Sequence, residues 1–571
     1  MLKQRIDAAM GRIKADIVLK NGQFVNVLNG TIERADIAVH GDRIVGIGQY
    51  EGVQEYDVSG MTVLPGYIDG HVHIESSQLS PEEFASLVVP RGTTTVIADP
   101  HEITNVCGMN GVEYIVQASK NVPLDVKVQL PSCVPATPFE TSGAVLQGKD
   151  IAQNIVREDV FGLGEFMNYP GVIYTDGDVM QKLSAANACG KIIDGHAPML
   201  TDKELNGYLC GGISTDHECV SREEIAEKVG RGLYCHLRHG SSTRNLLANA
   251  KAVNEMNLRR FIICTDDRHA ADLMKEGHLD DALRRLVKHD FNAVWAVIMA
   301  TINNAECYKL PWRGVIAPNY FADLVVVDNL QNFNAKYVFK DGKLVAKDGK
   351  ALFDTSKRYL PENVLNTVHL KKMQADDFKL PLKGKKAKVI CIFPDNIVTK
   401  CVVREVESRD GDVQLKGTDI LKLAVVERHK GTGNVGKALL EGYGLKGGCL
   451  GITVAHDSHN VILLGDNNED MAAAANRLAE IGGGMVIAQG GHCESVTLDI
   501  GGLMSSKDAK TLEAQSRALI EKAYAMGVTR RLDAFMALAF LSLAVIPDIK
   551  LLDTGLFDVT KFSFTDINAE E

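Results

Sequence analysis

Four histidines and two carboxylates in this sequence have the types and spacing to hold metal ions. His71 and His73 flank Val72 at the end of TVLPGYIDGHVHI, a run that reads as a β-strand. Side chains two apart on a strand point the same way, so both imidazoles can face one ion. Further along, Glu165 stands in VFGLGEF, His196 in KIIDGHAP, His217 in GISTDHE and Asp266 with Asp267 in RFIICTDD, each at the end of another apolar run. A single strand-end histidine is ordinarily a satisfied polar group at a core edge. Such groups repeated on successive strands point instead to a shared metal site. Imidazole and carboxylate donors suit a borderline divalent ion such as Zn, Mn or Fe, and the lack of nearby thiols argues against a sulfur-rich zinc site. Two ions can be bridged by one carboxylate, leaving a place for a shared water that becomes a hydroxide nucleophile at neutral pH, with Asp266 to accept its proton. The chemistry implied is hydrolysis.

Positioning these groups requires a scaffold that ends many strands on one face. Residues 62–310 alternate short apolar strands with helical patterns eight times, TTVIADPHE, VKVQLPSC and YCHLRHGSS completing the strand set. That length and rhythm predict a TIM-like (β/α)8 barrel, whose active sites sit at the strand C-termini. Ser80 to Glu83, Thr201 to Glu204 and Ser221 to Glu224 carry capping-box patterns that mark helix starts. Period-two runs with glycine turns in 15–58 return in 314–353, so residues 1–61 and 311–353 are expected to form one discontinuous β-sandwich domain around the barrel. Residues 354–386, rich in Lys and Asp, read as a solvated linker or boundary. Residues 387–571 read as a mixed α/β domain of underived topology.

Composition narrows the partners. The 571 residues are 45% hydrophobic and 24% charged, ordinary for a globular chain of about three or four domains. A net charge of −11 disfavours nucleic-acid backbones and anionic lipid surfaces. The first twenty residues read as an amphipathic helix running into a strand rather than as a signal peptide, and no run reaches the ~20 apolar residues of a membrane span. Twelve scattered cysteines without a CxxC pair suit reduced thiols, most of them small buried hydrophobes. A cytoplasmic protein is expected.

The strings VLPGYIDGHVHIESS, PRGTTTVIADPHEITNV, GEF, DGH, TDHE, SSTRNL, CTDD, GVIAPNYFADLVV, AHDSHN and FLSLAVIPDIKLLDTGLFDV together resemble the amidohydrolase superfamily, specifically the adenine deaminases with a long C-terminal domain. The resemblance spans almost the whole chain. It implies deamination of adenine to hypoxanthine and ammonia by a homodimer. It also implies a binuclear centre of manganese or iron, with His71, His73 and Asp266 on one ion, His196 and His217 on the other, and Glu165 as bridge. Glu102 in the DPHE segment is the expected acid for the ring nitrogen, its alternative being a helix cap or a partner of His101. Arg238 is expected to bind the purine or to orient a carboxylate, its alternative being a purely structural role. His239 stands in LRHGS where the family pattern reads LREGS, and is expected near the substrate or supporting the site. His456, Asp457 and His459 of AHDSHN are expected at the active-site mouth, closing over the base or holding a further metal, unless they form a surface turn. Rival readings are cyclic-amide or N-acyl hydrolysis on the same metals, and a catalytically dead scaffold, which would show eroded ligands.

Overall fold

In the computed structural model, residues 2–394, 396–415 and 417–569 are described. Eight parallel strands form a closed barrel: β1 (Tyr67–Val72), β2 (Thr93–Ala98), β3 (Asp125–Leu130), β4 (Gly162–Phe166), β5 (Ile192–Gly195), β6 (Thr215–Asp216), β7 (Tyr234–Arg238) and β8 (Phe261–Cys264). Ladders join β1 to β5 and β6 to β8. The β5–β6 edge is joined by Gly195 N donating to Thr215 Oγ1 at 3.0 Å and Ser214 N to Ile193 O at 3.2 Å. The barrel closes where Val72 bridges Asp266 in parallel, with Asp266 N donating to His71 O at 2.9 Å and His73 N to Asp266 O at 3.2 Å. Strands this buried on both faces must be apolar, and the polar residues are displaced to their ends.

Thr62–Pro65, which the sequence runs straight into the barrel, belongs to a different sheet. It pairs antiparallel with Leu324–Val327 and parallel with Gln23–Asn26, in a seven-stranded sheet that faces a second sheet of four strands. Leu19, Phe24, Ile37, Val63, Leu324 and Phe339 fill the space between them.

The C-terminal unit is built on an eight-stranded sheet whose alternate residues face opposite ways. Ala424, Val426 and Leu463 pack with the helix Asn468–Glu480. Leu423, Val425 and Ile462 join a core continuous with the barrel's Leu79, Val96 and Ile103. Residues 354–386 are not a solvated linker. Val364, Val368, Met373 and Phe378 are buried between residues that face water, and Gly501 N donates to Val364 O at 2.7 Å. Their irregular spacing left no periodic signal.

Two of the three helix starts are capped by their own side chains, Ser80 accepting from Glu83 N at 3.4 Å and Ser221 from Glu224 N at 3.2 Å; Thr201 makes no such bond. No helix among the described residues is long and apolar enough to cross a membrane. Half of the cysteines, such as Cys219, Cys235 and Cys264, are buried, while Cys189, Cys210 and Cys401 are exposed.

The helix Pro81–Val88 ties the two large units together. The Glu83 carboxylate, 6% exposed, accepts from Arg358 at 3.0 Å, Thr355 at 2.8 Å and Ala509 N at 3.0 Å. Glu83→Ala strands these donors and is expected to cost about 3 kcal/mol, read as a lower thermal midpoint; an unchanged midpoint would show that the seam does not depend on this carboxylate.

Candidate metal centre and active site

The strand ends converge on one buried carboxylate. Glu165 Oε1 lies 3.7 Å from His71 Nε2 and 3.2 Å from His73 Nε2. Its other oxygen, Oε2, lies 2.7 Å from His196 Nδ1 and 3.3 Å from His217 Nε2. Asp266 Oδ1 joins the first set, 3.0 Å from His73 Nε2 and 3.6 Å from His71 Nε2. One carboxylate therefore faces two ligand sets with one oxygen each.

The donors fit cations. His73 Nδ1 lies 2.8 Å from the Asp99 carbonyl, which can only accept, so the ring proton sits there and Nε2 presents a bare lone pair. That lone pair faces His71 Nε2 at 3.1 Å. Two imidazole nitrogens beside two carboxylate oxygens call for positive charge between them. The protonation balance says the same: burial opposes imidazolium on His71, yet Asp194 and Glu165 outweigh it and raise the group to about 10. Burial likewise opposes charge on His196, which Glu165 raises to about 9. Burial also works against the carboxylates, but His196 holds Glu165, and Arg238 holds Asp266, well below the usual range.

Supporting residues fix these groups. Asp99 Oδ2 accepts from Glu165 N at 2.8 Å, an approach that requires Gly164, because a Cβ there would stand 2.2 Å from that oxygen. Arg238 Nη1 donates to Asp266 Oδ2 at 2.5 Å and to Glu218. Asp266 holds a left-handed backbone, φ 57°, where a non-glycine residue needs such support. Asp194 receives Tyr308 Oη at 3.0 Å and Thr215 Oγ1 at 2.8 Å beneath His71. The sequence analysis does not single out Asp99, Asp194 or Glu218, although Asp194 and Glu218 share strand-end strings with His196 and His217 and Asp99 shares one with His101 and Glu102.

His101 and Glu102 open the helix His101–Cys107 just after β2. His101 Nδ1 lies 3.4 Å from Glu165 Oε1, and its ring meets that of His73 edge-on at 4.5 Å. Glu102 faces the AHDSHN segment, which is buried rather than a surface turn. His456 Nδ1 lies 2.7 Å from Glu102 Oε1, and His459 Nε2 bonds Oε2. Asp457 is buried nearby, its carboxyl pushed up to about 6 by burial against the pull of His101. Glu75, Glu102, Asp267, His456, Met536 and Phe540 line a cavity at the seam of the two units, where Phe540 stacks on His456 at 4.9 Å.

His239 is not among the residues brought together. Because β7 alternates, Arg238 faces inward and His239 outward, where its Nε2 lies 2.8 Å from Asp281 Oδ2. Its place is between β7 and the helix Leu279–Lys288, with Arg268 donating to its carbonyl at 3.1 Å.

Gly164→Ala is expected to displace Asp99 and lower metal affinity about 10–100-fold, measured as metal content after dialysis; full occupancy would remove Asp99 from the support of the site. His239→Glu should leave turnover within about threefold. A rise by orders of magnitude would return residue 239 to the active site.

Residues 62–345 match the amidohydrolase family, and residues 396–563 match the adenine deaminase C-terminal domain. The chain is 46% identical over 566 residues to the adenine deaminase of Clostridium acetobutylicum, covering 99% of each chain. It is 44% identical to that of Nitratidesulfovibrio vulgaris, covering 99% of both. With that of Halalkalibacterium halodurans it shares 43% identity, over 100% of this chain and 99% of the other. With its ligand residues gathered at the barrel mouth and likeness of this extent, the chain belongs to the adenine deaminase family of the amidohydrolases.

Proposed function

We propose that this protein hydrolyses adenine to hypoxanthine and ammonia at a binuclear centre of manganese or iron. The observation that carries the reading is Glu165, whose two oxygens face separate histidine pairs. His71, His73 and Asp266 would hold one ion, His196 and His217 the other, with Glu165 shared between them. Bound there, the ions would supply Lewis-acid activation of water at neutral pH.

The protein's own groups manage the protons. Asp266, oriented by Arg238, takes one proton of the attacking water and passes it to the exocyclic amine, so that the C–N bond breaks with ammonia as leaving group. Glu102 hands a proton to the ring nitrogen beside the carbon under attack. That proton is replaced from the new hydroxyl as it becomes the carbonyl of hypoxanthine. Burial opposes charge on both, but His456 holds the Glu102 carboxyl well below the usual range and Glu102 raises His456 to about 9, so the proton rests on His456 and reaches the base through Glu102. Asp457, His101 and the cavity wall of His456 and Phe540 enclose the base. The reading includes a cytoplasmic homodimer.

Manganese-reconstituted protein is expected to release ammonia from adenine but not from adenosine, and Asp266→Asn to lower kcat by about 10²–10⁴ with its thermal midpoint retained. No ammonia from metal-loaded protein would contradict the substrate, and near-normal turnover in the variant would remove Asp266 from the proton path.

A further inference from the structure

The contact between Glu102 and the C-terminal unit is more specific than a wall closing over a ligand. Glu102, His456 and His459 have donor atoms close enough together to suggest a third metal site. The ring of His459 argues otherwise. Its Nδ1 accepts the backbone N–H of Ala455 at 3.0 Å, so Nδ1 carries no proton and the single proton of the neutral ring is on Nε2. That Nε2–H points at Glu102 Oε2. A cation would need Nε2 bare, leaving an imidazole with no ring proton at all. The cluster is therefore a hydrogen-bonded clamp, not a cation site.

The two histidines of the clamp are unlike. Both line the cavity, but His456 is 6% exposed and stacks on Phe540. His459 is 1% exposed and held from several sides. Its N–H donates to Ala455 O at 2.7 Å, and its carbonyl accepts from Arg428 Nε. Arg428 is itself fully buried and anchored to Gly501 O at 3.0 Å. His459 also keeps a left-handed backbone, φ 56°, a conformation that persists in a non-glycine residue only when its surroundings over-determine it. Glu102 has one oxygen toward each histidine, so a fixed Nε2–H on one oxygen sets the plane of the carboxylate and leaves the other oxygen for exchange with His456.

We propose that His459 is a positioning residue for the reaction: through its fixed Nε2–H it orients Glu102 toward the ring nitrogen of the base, so that the C-terminal unit completes the acid half of the active site. This rests on the assignment of Glu102 above. The predicted signature is a loss in kcat without loss of metal or substrate affinity.

The test uses full-length, manganese-loaded protein with adenine. His459→Ala should lower kcat roughly 10²-fold with KM within about twofold and with unchanged metal content, assayed below a thermal midpoint that falls because Glu102 and the Ala455 N–H lose a partner. His459→Gln, whose amide N–H can reach the position of the imidazole Nε2–H, should recover most of the loss; His459→Asn, one carbon shorter, should not. In a Glu102→Gln background, His459→Ala should add no more than about twofold. Independent losses in the double variant, a change confined to KM, equal behaviour of the Gln and Asn variants, or an ion lost from His459→Ala would each overturn the positioning role. Wild-type turnover in Glu102→Gln alone would overturn the acid assignment and the proposal with it, whereas an impaired Glu102→Gln with additive losses overturns the positioning role only.

Discussion

The site depends on a buried carboxylate divided between two sets of imidazoles. Glu165 cannot be solvated at 3% exposure, so its charge must be met by positive charge, and each oxygen has its own histidine pair through which to meet it. Much around it serves to keep that division. Asp99 reaches the Glu165 backbone over a bare glycine, Ser132 donates to the Glu165 carbonyl at 2.5 Å, and Asp194 and Tyr308 underlie His71. A set of opposed charges this dense is costly to bury unless each member is paired, and here the pairing runs from one strand end to the next.

Barrel closure also places the clustered side chains. The bonds that join the first strand to the last run between His71, His73 and Asp266 themselves, so these residues have their registry only when the cylinder is shut. The cluster around Glu102 is assembled differently. Glu102 belongs to the barrel, yet its carboxylate is held by two histidines more than three hundred residues further along the chain. The continuous core between barrel and C-terminal sheet gives that contact its rigidity.

Much of this was legible in the sequence because strand ends are marked locally. Apolar runs closing on His or a carboxylate mark the cylinder: six of its strands fall within those runs, and the other two begin one residue earlier, at Thr93 and Asp125. What escaped is what depends on three-dimensional neighbours. Arg238 and His239 are adjacent in sequence and opposite in direction, so whether either meets substrate or support follows from the strand pleat and from Asp266 and Asp281. Thr201 carries a capping pattern without the capping bond. Residues 354–386 bury apolar side chains at no fixed period, and their lysines and aspartates conceal it. That AHDSHN meets Glu102 has no local signal beyond its own polarity.

The most direct test is metal stoichiometry in Glu165→Gln, which keeps the shape of the side chain and removes its charge. Wild-type protein loaded with manganese should hold two ions per chain, and the variant should lose both the second ion and turnover on adenine. Two ions retained with wild-type turnover would contradict it.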